Sequence, residues 1–188
     1  TTSSEDDTLL QRLIDQVLRF YPTEPKELCS NVACHRVSFI FGRCWNHGNL
    51  NKVTHDQIHR FLGGVTMHLE SLLTHMGELG YVTTNFPLAS NLVTSVNMRR
   101  LKGIPIFFFS GGDNKVLRPE STCTSYEMLR DAFGAKDYER EVVDGYGHLD
   151  CWMGTNAYRD VFPRVAERVE RMCRGEEGRA RREGIRCG

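Results

Sequence analysis

Ile104-Pro105-Ile106-Phe107-Phe108-Phe109-Ser110-Gly111-Gly112-Asp113-Asn114 and, downstream, Val142-Val143-Asp144-Gly145-Tyr146-Gly147-His148 decide how this chain reads. Each is an apolar run that opens into a glycine-loosened loop with one titratable side chain near its tip, the acid first and the histidine second. Ile104 to Phe109 is apolar throughout, the pattern of a central parallel strand covered by helices on both faces. Pro119-Glu120 then stands where a first helical turn tolerates proline. Tyr126, Met128, Leu129 and Phe133 can pack, Gly134 stops the helix, and Tyr138 to Val143 is the second strand. This β/α/β unit returns the chain to the same sheet edge, so Asp113 and His148 fall just past the C-terminal ends of adjacent strands, where open α/β sheets place their sites.

The chain order acid then histidine is the second half of a Ser…Asp…His triad on an α/β-hydrolase sheet. In such a triad the histidine takes the serine proton and later protonates the leaving group, while the acid fixes the imidazole tautomer. Asp113 and His148 are therefore the candidate catalytic pair. No G-x-S-x-G occurs among the 188 residues, so acid and base stand without a nucleophile. A competing reading places Asp113 in an ordinary Asp-Asn turn and His148 in a loop that bonds only locally. Asp144 and Asp150 are the runner-up acids, too close in sequence to reach the ring from the neighbouring strand.

The remaining histidines say less. His55 and His59 have the i, i+4 spacing of a helical metal pair, but the carboxylate of H-E-x-x-H is missing, and a solvated helix face is expected. His35, His47, His68 and His75 are read the same way. No glycine fingerprint follows a strand, so no FAD site is expected within the chain, and without an H-E-x-x-H carboxylate or a C-x-x-C pair no metal site is expected either.

Twenty-four basic residues balance twenty-four acidic ones, which removes the electrostatic term behind most nucleic-acid binding. No apolar run approaches the ~20 residues that span a bilayer. Thr1 to Asp7 is polar and acidic, unlike a secretory signal or an Arg-rich transit peptide. The seven cysteines form no C-x-x-C pair, which fits neither a zinc ribbon nor a disulfide scaffold. Reduced thiols in a cytoplasmic protein are expected, with a Cys29–Cys34 bridge as the alternative.

Leu9, Leu10, Leu13, Ile14, Val17 and Leu18 recur with helical period behind a Ser4-x-x-Asp7 capping box, and Pro22 and Pro25 end that helix. Residues 27–51 have no regular pattern. Thr54 caps a short helix through Phe61. After Gly63-Gly64, Leu69, Leu72, Leu73, Met76 and Leu79 share one stripe that Gly80 terminates. A last helix has Pro163 in its first turn, with Val165, Val169 and Met172 on one face. The expected organisation is a helical lid over residues 1–102, a β/α core over 103–173 and a mobile charged tail over 174–188. Two parallel strands do not make a stable sheet, so something else must complete it.

Arg118-Pro119-Glu120-Ser121-Thr122 with Tyr126-Glu127, then Gly145-Tyr146-Gly147-His148-Leu149-Asp150-Cys151 and Asn156-Ala157-Tyr158-Arg159-Asp160-Val161-Phe162-Pro163, extend the pattern beyond the two loops. Together they resemble the C-terminal part of the α/β-hydrolase-like region that follows cholesterol-oxidase-like (GMC-type) flavin oxidoreductases. Cys34-His35-Arg36, Phe41-Gly42 and Leu50-Asn51-x-x-Thr54-His55 are similar to that family's helical lid, so the resemblance spans roughly residues 6–170. It implies an α/β fold, namely the C-terminal portion of an α/β-hydrolase with the lid before its last two parallel strands. It also implies a nucleophile elbow upstream of residue 1 and FAD in a fused oxidoreductase domain. The incomplete sheet calls for an N-terminal half of the fold as partner, and Asp113 and His148 with the aromatic, Leu-rich segment from Phe39 to Leu79 point to a small apolar ester-like substrate. One departure is that relatives often carry Glu-Asn where this chain has Asp113-Asn114.

Overall fold

The computed structural model describes residues 9–61, 66–84 and 89–174. The Ser4/Asp7 cap, the Gly63-Gly64 break and the tail beyond Arg174 lie outside the described residues. The architecture is mixed α/β. Helices α1 (Leu9–Leu18), α2 (Val32–Phe41), α3 (Lys52–Asp56), α4 (Ile58–Phe61), α5 (Met67–Leu79) and α6 (Ser95–Arg99) come first. Strand β1 (Ile106–Gly111), helix α7 (Pro119–Phe133), strand β2 (Tyr138–Val143) and helices α8 (Asp150–Met153), α9 (Ala157–Asp160) and α10 (Phe162–Cys173) follow. Among the described residues no helix is long and apolar enough to cross a membrane.

The expected β/α/β unit is present. β1 and β2 pair in parallel, from Ile106 opposite Tyr138 to Gly111 opposite Val143. β1 begins at Ile106 rather than Ile104, because Pro105 has no N–H to give, and the Ile106 amide is the first to bond across, to the Asp137 carbonyl. β2 is held by helices through alternating side chains. Arg140 reaches α7, donating to the Pro119 carbonyl and Thr122 Oγ1. Glu139 and Glu141, pointing the other way, pair with Arg164, Arg168 and Arg171 along one side of α10. The sheet has two strands among the described residues. Phe107 and Phe109 of β1 line an open groove with Trp152, Val165, Val169 and Met172.

The segment read as irregular contains α2. Its hydrophobic period is obscured because Arg36 occupies an inward position, buried against Asp15 of α1, with Nε and Nη2 each donating to one carboxylate oxygen at 2.8 and 2.7 Å. Asn31 caps α2 through Oδ1, which accepts from the Ala33 and Cys34 amides. Asn51, not Thr54, caps α3. The helix expected to run through Phe61 breaks at Gln57 into α3 and α4. α5 ends where Gly80 takes up the left-handed conformation at φ 74°.

Ala33, Cys34, Val37, Cys44, Trp45 and Ile58 form one core, which also collects Val116, Leu149 and Met153 from the β/α part. Val143, Tyr146, Cys151, Ala157 and Val161 form a second. Leu9, Leu13 and Val17 of α1 and Met67, Leu69 and Leu73 of α5 stay exposed, so these apolar rows contribute nothing to either core.

Breaking a buried ion pair strands a charge in a low-dielectric site, at a cost of about 3–5 kcal/mol. Asp15→Ala should lower the urea midpoint accordingly, while Asp15→Ala/Arg36→Met should recover most of the loss. A single variant as stable as wild type would refute the role given to this pair.

Candidate functional site

The two loops at the C-terminal ends of β1 and β2 are stitched together by backbone. The Gly112 amide donates to the Val143 carbonyl and the Asp113 amide to the Tyr146 carbonyl, at 2.8 and 2.9 Å. They cross so closely that a Cβ at Gly111 would overlap the Tyr146 and Gly147 carbonyls, which confines this position to glycine.

The His148 loop is clamped from inside and outside. Inside, the fully buried Asp150 carboxylate accepts from the Gly147 amide at 2.9 and 3.0 Å and from Asn49 Nδ2 at 2.6 Å. Outside, the His148 and Leu149 amides both donate to the Cys44 carbonyl, at 3.1 and 2.7 Å. Asn46 and Asn49 each donate to the Gly145 carbonyl. The rim is thus assembled from β1, β2 and residues 44–49 of the helical part.

Asp113 and His148 lie on this common rim, but no hydrogen bond joins them among the described residues. The Asp113 carboxylate accepts from Asn46 Nδ2 at 2.9 Å. Asn114, which is buried, takes the position beside the ring, its Nδ2 lying 3.2 Å from His148 Nδ1. Asn114 Oδ1 accepts from the Val116 and Leu117 amides, which fixes the amide with its NH2 toward the histidine. Donation from Asn114 makes Nδ1 the acceptor and leaves the neutral ring's proton on Nε2, the reverse of the tautomer a triad base needs. The sequence carried a signal for Asn114, since an Asx turn needs a side-chain oxygen there. The runner-up acids serve elsewhere: Asp150 shapes the loop and Asp144 is exposed.

A second convergence was not legible in the sequence. Cys29, Cys34, His47 and His55 bring one ligand atom each within 4.8 Å of one another. The i, i+4 spacing paired His55 with His59, but the break at Gln57 puts these residues on different helices. Cys29, Cys34, Cys44, Cys151 and Cys173 are free thiols, as expected, and the alternative Cys29–Cys34 bridge is not formed. Cys123, in contrast to the expected reduced set, is disulfide-bonded. The hydrogen bond from Cys34 above all, aided by His47 and opposed by burial, lowers the Cys29 thiol to about 3.

No family model, curated protein or solved structure matches this chain.

Burial lowers the His148 pKa, and the Asp150 charge only partly offsets it. The folded protein therefore binds fewer protons there than the unfolded chain, whose imidazole titrates near 6.5. The effect on stability is nil well above pH 6.5, and stability is lost as the pH falls through that value. The His148 ring should titrate by NMR with a midpoint below about 6.5; a midpoint above it would contradict the burial described.

Proposed function

We propose that this chain supplies the acid and base of an α/β-hydrolase-type serine hydrolase acting on a small apolar carboxylic ester, thioester or lactone. The nucleophile, in this reading, comes from an N-terminal half of the fold outside these residues. The observation that carries the proposal is the rim itself: an aspartate and a histidine in stitched loops past the C-terminal ends of adjacent parallel strands, acid first. Depression of its pKa keeps His148 neutral near pH 7, as a general base must be. The exposed apolar rows of α1 and α5, within the lid, and the edges of the two-stranded sheet supply surface for the missing half.

In the working site the Asp113 carboxylate would leave Asn46, displace Asn114 from Nδ1 and accept a hydrogen bond from Nδ1–H, holding the ring proton on Nδ1. His148 Nε2 would then take the proton of the incoming serine hydroxyl as its oxygen adds to the carbonyl carbon. The same proton passes to the leaving alcohol, thiol or ring oxygen as the acyl bond breaks. Water repeats the sequence and releases the acid. Hydrogen bonds of catalytic groups are often misaligned in a free site and tighten only with substrate bound.

One observation favours a second reading. With Asn114 at Nδ1 and Asp113 tied to Asn46, the rim has the bonding of a packed structural turn. That bonding suits a non-catalytic packing domain attached to an FAD-dependent, cholesterol-oxidase-like oxidoreductase.

The complete protein should be labelled by a fluorophosphonate probe and hydrolyse a p-nitrophenyl ester. His148→Ala should then lower kcat by about 10²–10⁴-fold, and Asp113→Asn should lower it far more than Asn114→Ala. Absence of serine labelling in the folded, complete protein would favour the packing domain instead.

A further inference from the structure

We propose that Cys29, Cys34, His47 and His55 form a four-ligand zinc site that ties together the helical part of the chain. The proposal stands independently of the hydrolase reading.

The four ligands come from four places: the turn after Glu27, the first helical turn of α2, the start of the 47–49 turn, and α3. Their ligand atoms lie within 4.8 Å of one another. With bonds of about 2.3 Å to sulfur and 2.0–2.1 Å to nitrogen, tetrahedral zinc sets its ligand atoms roughly 3.3–3.8 Å apart. One edge is already close to that length, Cys34 Sγ to His47 Nε2 at 3.2 Å. A small inward adjustment of the other ligands closes the rest.

The surroundings are those of a metal ligand set. The buried Glu27 carboxylate lies 2.8 Å from His47 Nδ1 and also accepts the His47 amide at 2.9 Å. That fixes the Nδ1–H tautomer and turns Nε2 toward the sulfurs, the carboxylate–histidine–metal arrangement that strengthens an imidazole ligand. His55 Nε2 is buried with no hydrogen-bond partner, an acceptor that a cation would satisfy. Asn31 holds both sides of the cluster, donating to the His55 carbonyl while its oxygen caps the helix bearing Cys34. Trp45, buried beside His47, supplies an apolar wall.

Two thiolates and two imidazoles in a tetrahedral arrangement select zinc among common divalent ions. Four protein ligands leave no open position, so the site is structural rather than catalytic. The spacing C-x4-C-x12-H-x7-H follows the zinc-finger form except in its last gap. Both sulfurs bind as thiolates, whose two charges balance the dication.

The 188-residue chain, purified without chelator and desalted after exposure to zinc, should carry about one zinc per chain by mass spectrometry. Cobalt in its place should give the intense visible bands and sulfur-to-metal charge transfer of a tetrahedral S2N2 site. Glu27→Gln, which keeps all four ligands, should weaken zinc binding by about 10–100-fold. Cys34→Ser should weaken the charge-transfer band by about half or more, and the exposed Cys173→Ser should leave it unchanged. If Cys34→Ser does not fold, a mercurial titrated into the wild-type chain should release zinc in step with thiol modification. A folded chain with less than about a tenth of a zinc per molecule, or cobalt spectra without sulfur charge transfer, would overturn the proposal.

Discussion

The Cys44 carbonyl receives two backbone amides, those of His148 and Leu149. Everything at the rim depends on that junction. A two-stranded sheet cannot by itself hold a loop in one conformation, so the loop after β2 borrows rigidity from the helical part. Asn46 and Asn49 repeat the arrangement with side chains, and Trp45, which joins Cys44 to Asn46, is buried in the larger core. Residues 44–49 are therefore the inner wall of the site as well as the outer wall of the Cys/His cluster. If zinc fills that cluster, its binding energy is spent partly on ordering the segment that carries His148.

The β/α part was legible because its signals are local and agree with one another. A continuous apolar run, proline at a helix start, glycine at its end and a second run reproduce α7 and β2 to the residue, and β1 shifted by two residues. Long-range compensation hid the rest. Arg36 reads as solvent-facing until Asp15 is brought to it from another helix, and that one ion pair disguises the periodicity of α2. The cysteines and histidines of the cluster are spread over two turns and two helices, and their convergence follows from tertiary packing. Asn51 displaced Thr54 as a cap for a local reason: an Asx oxygen reached the Thr54 amide first.

The two loops singled out in the sequence do meet at one rim. The bonding within them turned on a neighbour. Asp113 and Asn114 are adjacent, so their side chains leave the backbone in different directions, and only one can meet the ring at a time. The backbone amides of Val116 and Leu117 hold Asn114 where it is, while Asn46 offers Asp113 an alternative partner. A nucleophile beside Nε2 would favour the other arrangement, because a proton on Nε2 is then in the wrong place.

The central claim is most directly tested by a crystal structure of the complete protein bearing a covalent phosphonate. The account predicts a phosphonylated serine facing His148 Nε2 and the Asp113 carboxylate within hydrogen-bond distance of Nδ1. Asn114 still against Nδ1, with no serine at the opposite nitrogen, would contradict it.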